Sequence, residues 1–214
     1  MANFYTDNAD LQFYFEKGVD WEPLVSLTEF DFKAPDTYAT LDEAVEFYRD
    51  ALTMTGKFVA EEIAPYGAEI DREGVKLVDG KAVIPAKQAA IFKQISDLDL
   101  HWLCIPRELG GMNCPLLMYF FNSEMFARAD VSTMTHHGFF GGVAMAMLAA
   151  SVHEGTTKWD AETGAITETR FQAEIEEIGQ GLAWGCMDIT EPDAGSDMAA
   201  LRTKAVLGDD GVWR

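Results

Sequence analysis

Nine residues, ITEPDAGSD from Ile189 to Asp197, gather more potential chemistry than ordinary scaffold carries. They hold the carboxylates Glu191, Asp193 and Asp197, the hydroxyls of Thr190 and Ser196, and a small Ala194-Gly195-Ser196 run behind Pro192. Successive backbone N–H groups in that run, with the serine hydroxyl, can form an anion-binding concavity. Gly195 has no Cβ, so a ligand can approach the main chain closely there. Thr190 offers a donor for the edge of a heterocycle. A hard cation is a poorer fit, because an EF-hand loop needs ligands at its first, third and fifth positions before its glycine, and Gly195 stands third from Asp193. Glu191 as a base is poorer still, since a glutamate beside proline in a polar loop is more often solvated or salt-bridged. Against all of these stands a plain tight turn with Asx bonds from Asp193 or Asp197.

Two other groups invite chemistry. His136-His137 suggests metal or acid–base work, but adjacent helical residues face apart, and metal pairs on one face need i, i+4 spacing. Capping or cavity lining is the better reading, and no metal site is assigned. Phe139, Phe140, Met145 and Met147 follow on the same apolar helix and are candidates to line an apolar pocket or simply to fill the core. Trp184 reads as packing within a β region, and the acidic run EIEEIG as a solvated helix face.

The elements that must position these residues are mostly helical. Residues 1–39 form an N-terminal extension, with a short helix around Leu11, Phe13, Tyr14 and Phe15 and a second opened by Pro23. Thr40-Leu41-Asp42-Glu43 is a capping box. Leu41, Val45, Tyr48, Leu52, Val59 and Ile63 then recur as the stripe of a long amphipathic helix that Pro65 ends. Residues 71–85 read as a connection and 86–98 as a shorter helix. IPRELGGMNCP, Ile105 to Pro115, is a Gly/Pro-punctuated loop. Helices over 116–129 and 131–153 follow, then a polar loop over 154–167 and a short acidic helix within 169–181 stopped by glycine. From 183 the character turns to strand, in AWGCMDI, TKAVL and VWR, with Asp210-Gly211 as a hairpin turn. VWR is short for its partner strand, which predicts that the sequence is the N-terminal piece of a longer protein.

Composition narrows the classes. The chain has 214 residues, 48% of them hydrophobic, enough to bury a core, and a formal net charge of −20. That charge repels phosphate backbones and disfavours nucleic acid, without excluding a small anion held by local donors. Three cysteines, Cys104, Cys114 and Cys186, with no CxxC pair, read as reduced thiols of a cytoplasmic protein. The start MANFYTDNAD lacks the pattern of a signal peptide. The most apolar run, Gly138 to Val152, is short for a membrane span and reads as a core helix.

ITEPDAGSD resembles the flavin-binding signature of the acyl-CoA dehydrogenase family, a hydrophobic residue followed by TEP-x-AGSD. Upstream, EEIAPYGAEIDREG resembles the end of that family's first long helix. IPRELGGMNCP resembles its P-E-x-x-G-G-x-G loop, and SEMFARAD its S-E-x-x-A segment. The resemblance spans roughly residues 40–214. It implies a mainly α fold: an acyl-CoA dehydrogenase-like N-terminal helical domain over 40–182, followed by the truncated start of a β-barrel middle domain over 183–214. It also implies FAD along the loop. Met187, Ile189 and Thr190 match positions facing the isoalloxazine. Gly195 and Ser196 match positions at the flavin pyrophosphate, with Ser196 also on the thioester ligand's side. The implied reaction is α,β-dehydrogenation of an acyl-CoA thioester, as in fatty-acid β-oxidation, with electrons passing to an electron-transfer flavoprotein. The family's base is a glutamate of its C-terminal domain, so no catalytic residue is assigned in this chain. The chain alone is expected to be inactive, and a homo-oligomer is expected of the full-length protein.

Three departures bear on substrate class. The 39-residue extension resembles the larger subgroup that includes methylthiopropionyl-CoA dehydrogenase-like enzymes. Residues 154–181 replace a shorter basic segment, and Asn113 stands where the loop usually has glycine. Alternatives on the same fold are an acyl-CoA oxidase or flavin monooxygenase. Outside catalysis, the alternative is a non-catalytic acyl-CoA-binding protein.

Overall fold

The computed structural model describes residues 2–214. The fold is mainly α. Ala9–Phe13 (α1) runs into a π-helical turn, Tyr14–Gly18, and is followed by Trp21–Thr28 (α2). Leu41–Phe58 (α3) starts at the predicted cap: Thr40 Oγ1 accepts from the Glu43 N–H at 3.2 Å. The Glu43 carboxylate closes the box one residue early, on the Ala39 N–H. Ala44, Tyr48, Leu52 and Thr55 give α3 its buried stripe, and a π turn, Val59–Ile63, ends it ahead of Pro65.

Gly67–Glu73 (α4) and Ala86–Asp97 (α5) flank a hairpin of Lys76–Val78 (β1) and Lys81–Val83 (β2). The sequence reading had a bare connection there. Asp79 and Gly80, both at positive φ, supply the two-residue turn that joins the strands. Leu116–Ala129 (α6) and Val131–His153 (α7) are separated by Asp130 alone, whose carboxylate caps α7 on the Thr133 N–H at 2.7 Å. No helix among the described residues is long and apolar enough to cross a membrane. Lys158–Trp159 (β3) and Ile166–Glu168 (β4) form a second small hairpin where a polar loop over 154–167 was expected, its last strand ending one residue beyond. Gln172–Gly179 (α8) then packs Ile175 and Ile178 against Phe140, Ala144 and Leu148 of α7.

The N-terminal segment is built into the core. Tyr5, Leu11, Phe15, Trp21 and Val25 share one buried cluster with Tyr48 and Leu52 of α3 and Met118, Phe121 and Met125 of α6. Residues 3–5 lie directly on α3. The Phe4 N–H donates to Gly56 O at 3.0 Å and the Asn3 amide to Thr53 O at 2.9 Å. A Cβ at Gly56 would run into Asn3 and the Tyr5 backbone.

The end of α2 is tied to the loop Ile105–Pro115. Glu29 is fully buried and takes a two-pronged ion pair from Arg107, one prong at 2.8 Å, plus a hydrogen bond from the Thr37 hydroxyl at 2.6 Å. The guanidinium also lies over the Tyr38 ring. Asn113, at the position where the resembled loop has glycine, sits at φ 57° and donates from its side chain to Thr28 O at 2.9 Å. Asparagine tolerates this left-handed backbone and adds a bond that glycine cannot make. Gly111 is required for another reason, since any Cβ there would collide with the Ile105 carbonyl.

Between these anchors, Phe30, Asp31 and Phe32 occupy positive φ in succession. The Asp31 N–H reaches back to Ser26 O at 2.7 Å, the 6→1 bond of a Schellman stop, here with phenylalanine in the glycine position.

Beyond 183 the expected strands are only partly present. Val206 and Arg214 exchange both backbone hydrogen bonds around the predicted Asp210-Gly211 turn, so TKAVL and VWR do meet. AWGCMDI makes no ladder pair and runs irregularly, because a strand needs a neighbour to satisfy its backbone groups.

Arg107→Ala should destabilise the chain by about 3–5 kcal/mol in urea unfolding, because it leaves the Glu29 charge buried and unpaired. The double variant Glu29→Leu/Arg107→Met should recover most of that loss. If the single and double variants are equally unstable, the ion pair is not what the fold depends on.

Candidate functional site

Glu191 and Ala194 pair in both directions, Glu191 N–H to Ala194 O at 2.9 Å and Ala194 N–H to Glu191 O at 3.1 Å, so Pro192 and Asp193 occupy the corner of a tight turn. This reversal sets Thr190 and Gly195 on its two arms. The turn is closed by Glu191, whose carboxylate accepts from the N–H groups of Arg202 at 3.0 Å and Thr203 at 2.8 Å. The Thr203 hydroxyl and those two amides hold the Glu191 carboxyl below its ordinary value. A carboxylate so engaged is a brace and a poor proton acceptor. Asp193 lies 3.7 Å from Arg202 on the surface. Among the described residues no three His, Cys, Asp or Glu side chains converge in a metal-binding group.

Met187, Thr190, Gly195 and Ser196 are exposed and Ile189 is half-buried. A Cβ built on Gly195 meets nothing within 4 Å. Its φ lies outside the left-handed region, so neither packing nor backbone geometry within this chain demands glycine there. The backbone at Gly195 is thus unobstructed, and among the described residues no hydrogen bond engages the Thr190 or Ser196 hydroxyl. The turn brings Thr190 and Gly195 to neighbouring arms. Met187 and Ile189 lie on the irregular run leading into it, and no hydrogen bond ties Met187 to the turn.

The second candidate lies between α6, α7 and the short 3-10 turn Leu100–Trp102. It is a cavity of about 440 Å³ lined by Leu100, Leu103, Met145 and Ala146, by Gly141-Gly142 and by the side chains of His101, Asn122 and His137. Of the residues expected to line an apolar pocket, Met145 is on this wall. Phe140 instead belongs to the core cluster with α8, and Met147 packs against that cluster. None of residues 187–197 lines this cavity.

The two histidines face apart, as the sequence requires. His137 is buried, with Nε2 2.9 Å from the Asn122 amide nitrogen and Nδ1 3.2 Å from Nδ1 of His101. The His101 ring stacks on Phe140 at 3.9 Å. His136 stands on the other face, 3.9 Å from the Phe92 ring and 4.4 Å from the Trp184 indole. Trp184, expected to pack in a β region, is half-exposed and leans on that helix instead. Sequence reasoning passed over His101 and Asn122 because neither sits in a motif and each is a single polar residue in an apolar stretch. Burial, with the neighbouring histidine charge adding, drives the His137 pKa down to about 3 and the His101 pKa down to about 4.

Helical domain and TEPDAGSD loop together define a class, and the comparisons agree. Residues 46–160 match the model of the acyl-CoA dehydrogenase N-terminal domain. The chain therefore belongs to the acyl-CoA dehydrogenase family. It is 29% identical to the 3-methylmercaptopropionyl-CoA dehydrogenase of Ruegeria pomeroyi over 95% of this chain and 30% of that protein. It is 26% identical to the mitochondrial 2-methylacyl-CoA dehydrogenase of Solanum tuberosum, over 82% of this chain and 36% of the relative. It is 27% identical to the acryloyl-CoA reductase (NADH) of Anaerotignum propionicum, over 72% and 32%. The chain thus spans about a third of the length of the relatives it matches.

The buried imidazoles should make stability fall as pH drops from 7 to 5. The unfolded rings, near their ordinary value of about 6.5, take up protons that the folded pair refuses until about 3–4. Each such ring contributes about 1.4 kcal/mol per pH unit below its unfolded pKa. Urea midpoints at pH 7, 6 and 5 check this, and a flat profile would mean that one ring carries charge in the folded state.

Proposed function

We propose that this chain supplies the flavin-loop part of an FAD-dependent acyl-CoA dehydrogenase, which removes hydrogen from the α and β carbons of an acyl-CoA thioester and passes electrons to an electron-transfer flavoprotein. The observation that carries the reading is the unobstructed backbone at Gly195 on a braced TEPDAGSD turn in a chain of this family. FAD, when bound there, would supply the hydride acceptor. Thr190 is assigned to the ring edge as a hydroxyl donor, with Met187 and Ile189 along the ring. Gly195 and Ser196 are assigned to the pyrophosphate, with Ser196 shared with the thioester. Glu191 has a mechanical part, holding the turn through the Arg202 and Thr203 amides so that the cradle is formed in advance. The α-proton acceptor is assigned outside this chain. The acyl groups in the names of two relatives, 3-methylmercaptopropionyl-CoA and 2-methylacyl-CoA dehydrogenase, favour a short or branched acyl group.

The deciding experiment uses protein expressed from the complete reading frame. A flavin spectrum bleached anaerobically by acyl-CoA thioesters supports the reading, and the thioester that bleaches fastest names the substrate. Bleaching by NADH alone would point to the reductase direction, and fast reoxidation in air to an oxidase or monooxygenase. A colourless protein would remove the flavin. In the same protein, Thr190→Val should leave the fold intact and slow bleaching about fivefold, as expected for loss of one hydrogen bond of ~1 kcal/mol. Unchanged kinetics would take Thr190 off the ring edge. Gly195→Val should shift the unfolding midpoint by less than about 0.5 kcal/mol, since its Cβ meets nothing in the chain, yet empty the protein of flavin. A fully yellow variant would reject the cradle.

A further inference from the structure

The Glu191 brace fixes the shape of the TEPDAGSD turn but not its place on the helical body. Its bonds to Arg202 and Thr203 stay within the segment, as does the ion pair of Asp193 with Arg202. Among the described residues, no hydrogen bond or ion pair joins 186–214 to 2–183. The stretch 184–190 makes no backbone–backbone hydrogen bond either. The last polar tie to the helices lies at Trp184.

Trp184 and Gly185 are seated on α7 in two ways. The Leu182 and Ala183 N–H groups both reach Glu177 O, so the chain arrives at this point from the fixed end of α8. The Trp184 indole N–H then donates to His136 O at 3.3 Å, and its ring stands T-shaped to His136 at 4.4 Å and to Phe139 at 6.5 Å. His136 is itself backed by the Phe92 ring of α5 at 3.9 Å. Gly185 meets α7 with no side chain between. A Cβ on it would stand 2.6 Å and 2.7 Å from the two methyl carbons of Val143. Its φ is outside the left-handed region, so close contact and not backbone conformation requires glycine there. A helical valine holds one χ1 rotamer, so the methyl groups do not swing aside. Gly185 is thus the opposite of Gly195, whose Cβ would meet nothing.

We propose that Trp184 and Gly185 form the latch that holds the TEPDAGSD turn at one place on α7, and that they are positioning residues for the arm Met187–Thr190. The positioning of that arm against a flavin rests on the dehydrogenase reading; the latch itself does not.

The test places a nitroxide on Cys186, the exposed thiol next to the latch. Burial pushes the Cys104 thiol up to about 12, and Cys114 is buried, so a thiosulfonate reagent at neutral pH takes Cys186. The paramagnetic resonance spectrum should be that of an immobilised label. Gly185→Ala should release the label to the fast motion of a free loop. Adding Val143→Ala should immobilise it again, because the methyl groups removed are those the new Cβ would strike. Trp184→Ala, at a half-exposed site, should release the label as well, and it decides if Gly185→Ala fails to fold. A label unmoved by both single variants, or not immobilised again by Val143→Ala, overturns the latch. In protein from the complete reading frame, Gly185→Ala should weaken FAD binding roughly tenfold through lost pre-organisation, and Val143→Ala should restore it. A released label with unaltered FAD binding overturns the positioning role. A colourless wild type whose label still follows the series supports the latch and sinks the dehydrogenase reading alone.

Discussion

A carboxylate with no exposure at all must be matched by a cation in contact, and Glu29 imposes that condition on the whole N-terminal half. Its partner, Arg107, comes from the loop that also carries Gly111 and Asn113, so one ion pair fixes the end of α2 against Ile105–Pro115. That loop in turn feeds α6, whose buried face closes the core against Tyr5, Phe15 and Trp21. The 39 residues that look like an appendage in sequence are therefore part of the cooperative interior. The family model begins at residue 46, yet the packing unit begins with Asn3 and Phe4 on α3.

Most of the helices were legible from a periodic stripe or a boundary signal, whereas the short α4, Gly67–Glu73, was missed between the Pro65 stop and the supposed connection. Thr40 and Glu43 marked the start of α3, and Pro65 and Gly181 marked stops. The small hairpins were not read, although Asp79-Gly80 is a strong turn pair, because strands of two or three exposed residues leave no alternation to detect. The opposite error arose at AWGCMDI, where β-like composition was present but no neighbouring strand was. Propensity describes what a segment tolerates; pairing decides what it does.

The loop and the cavity differ in how much sequence can disclose. ITEPDAGSD is local, so its turn, glycine and hydroxyls were all visible in nine letters. What remained hidden was the brace from Glu191 to Arg202 and Thr203, because nothing in the spacing says which carboxylate turns inward. The histidine chain is assembled from three separate elements, the 3-10 turn, α6 and α7, and exists only after they pack. Only the His136-His137 pair could be suspected beforehand, and the spacing did not say which of the two faces inward.

Phe30, Asp31 and Phe32 wind in the mirror-image sense of every helix around them. For residues bearing a Cβ that conformation costs roughly 1–2 kcal/mol each, and no glycine relieves it. The local Asp31 N–H to Ser26 O bond offsets only part of that cost. The turn is anchored on both sides, by the Glu29–Arg107 pair and by the Phe30 ring lying over Gly164 at the β3–β4 hairpin. The handedness of this turn is therefore imposed by the surface it packs on and not by its own residues.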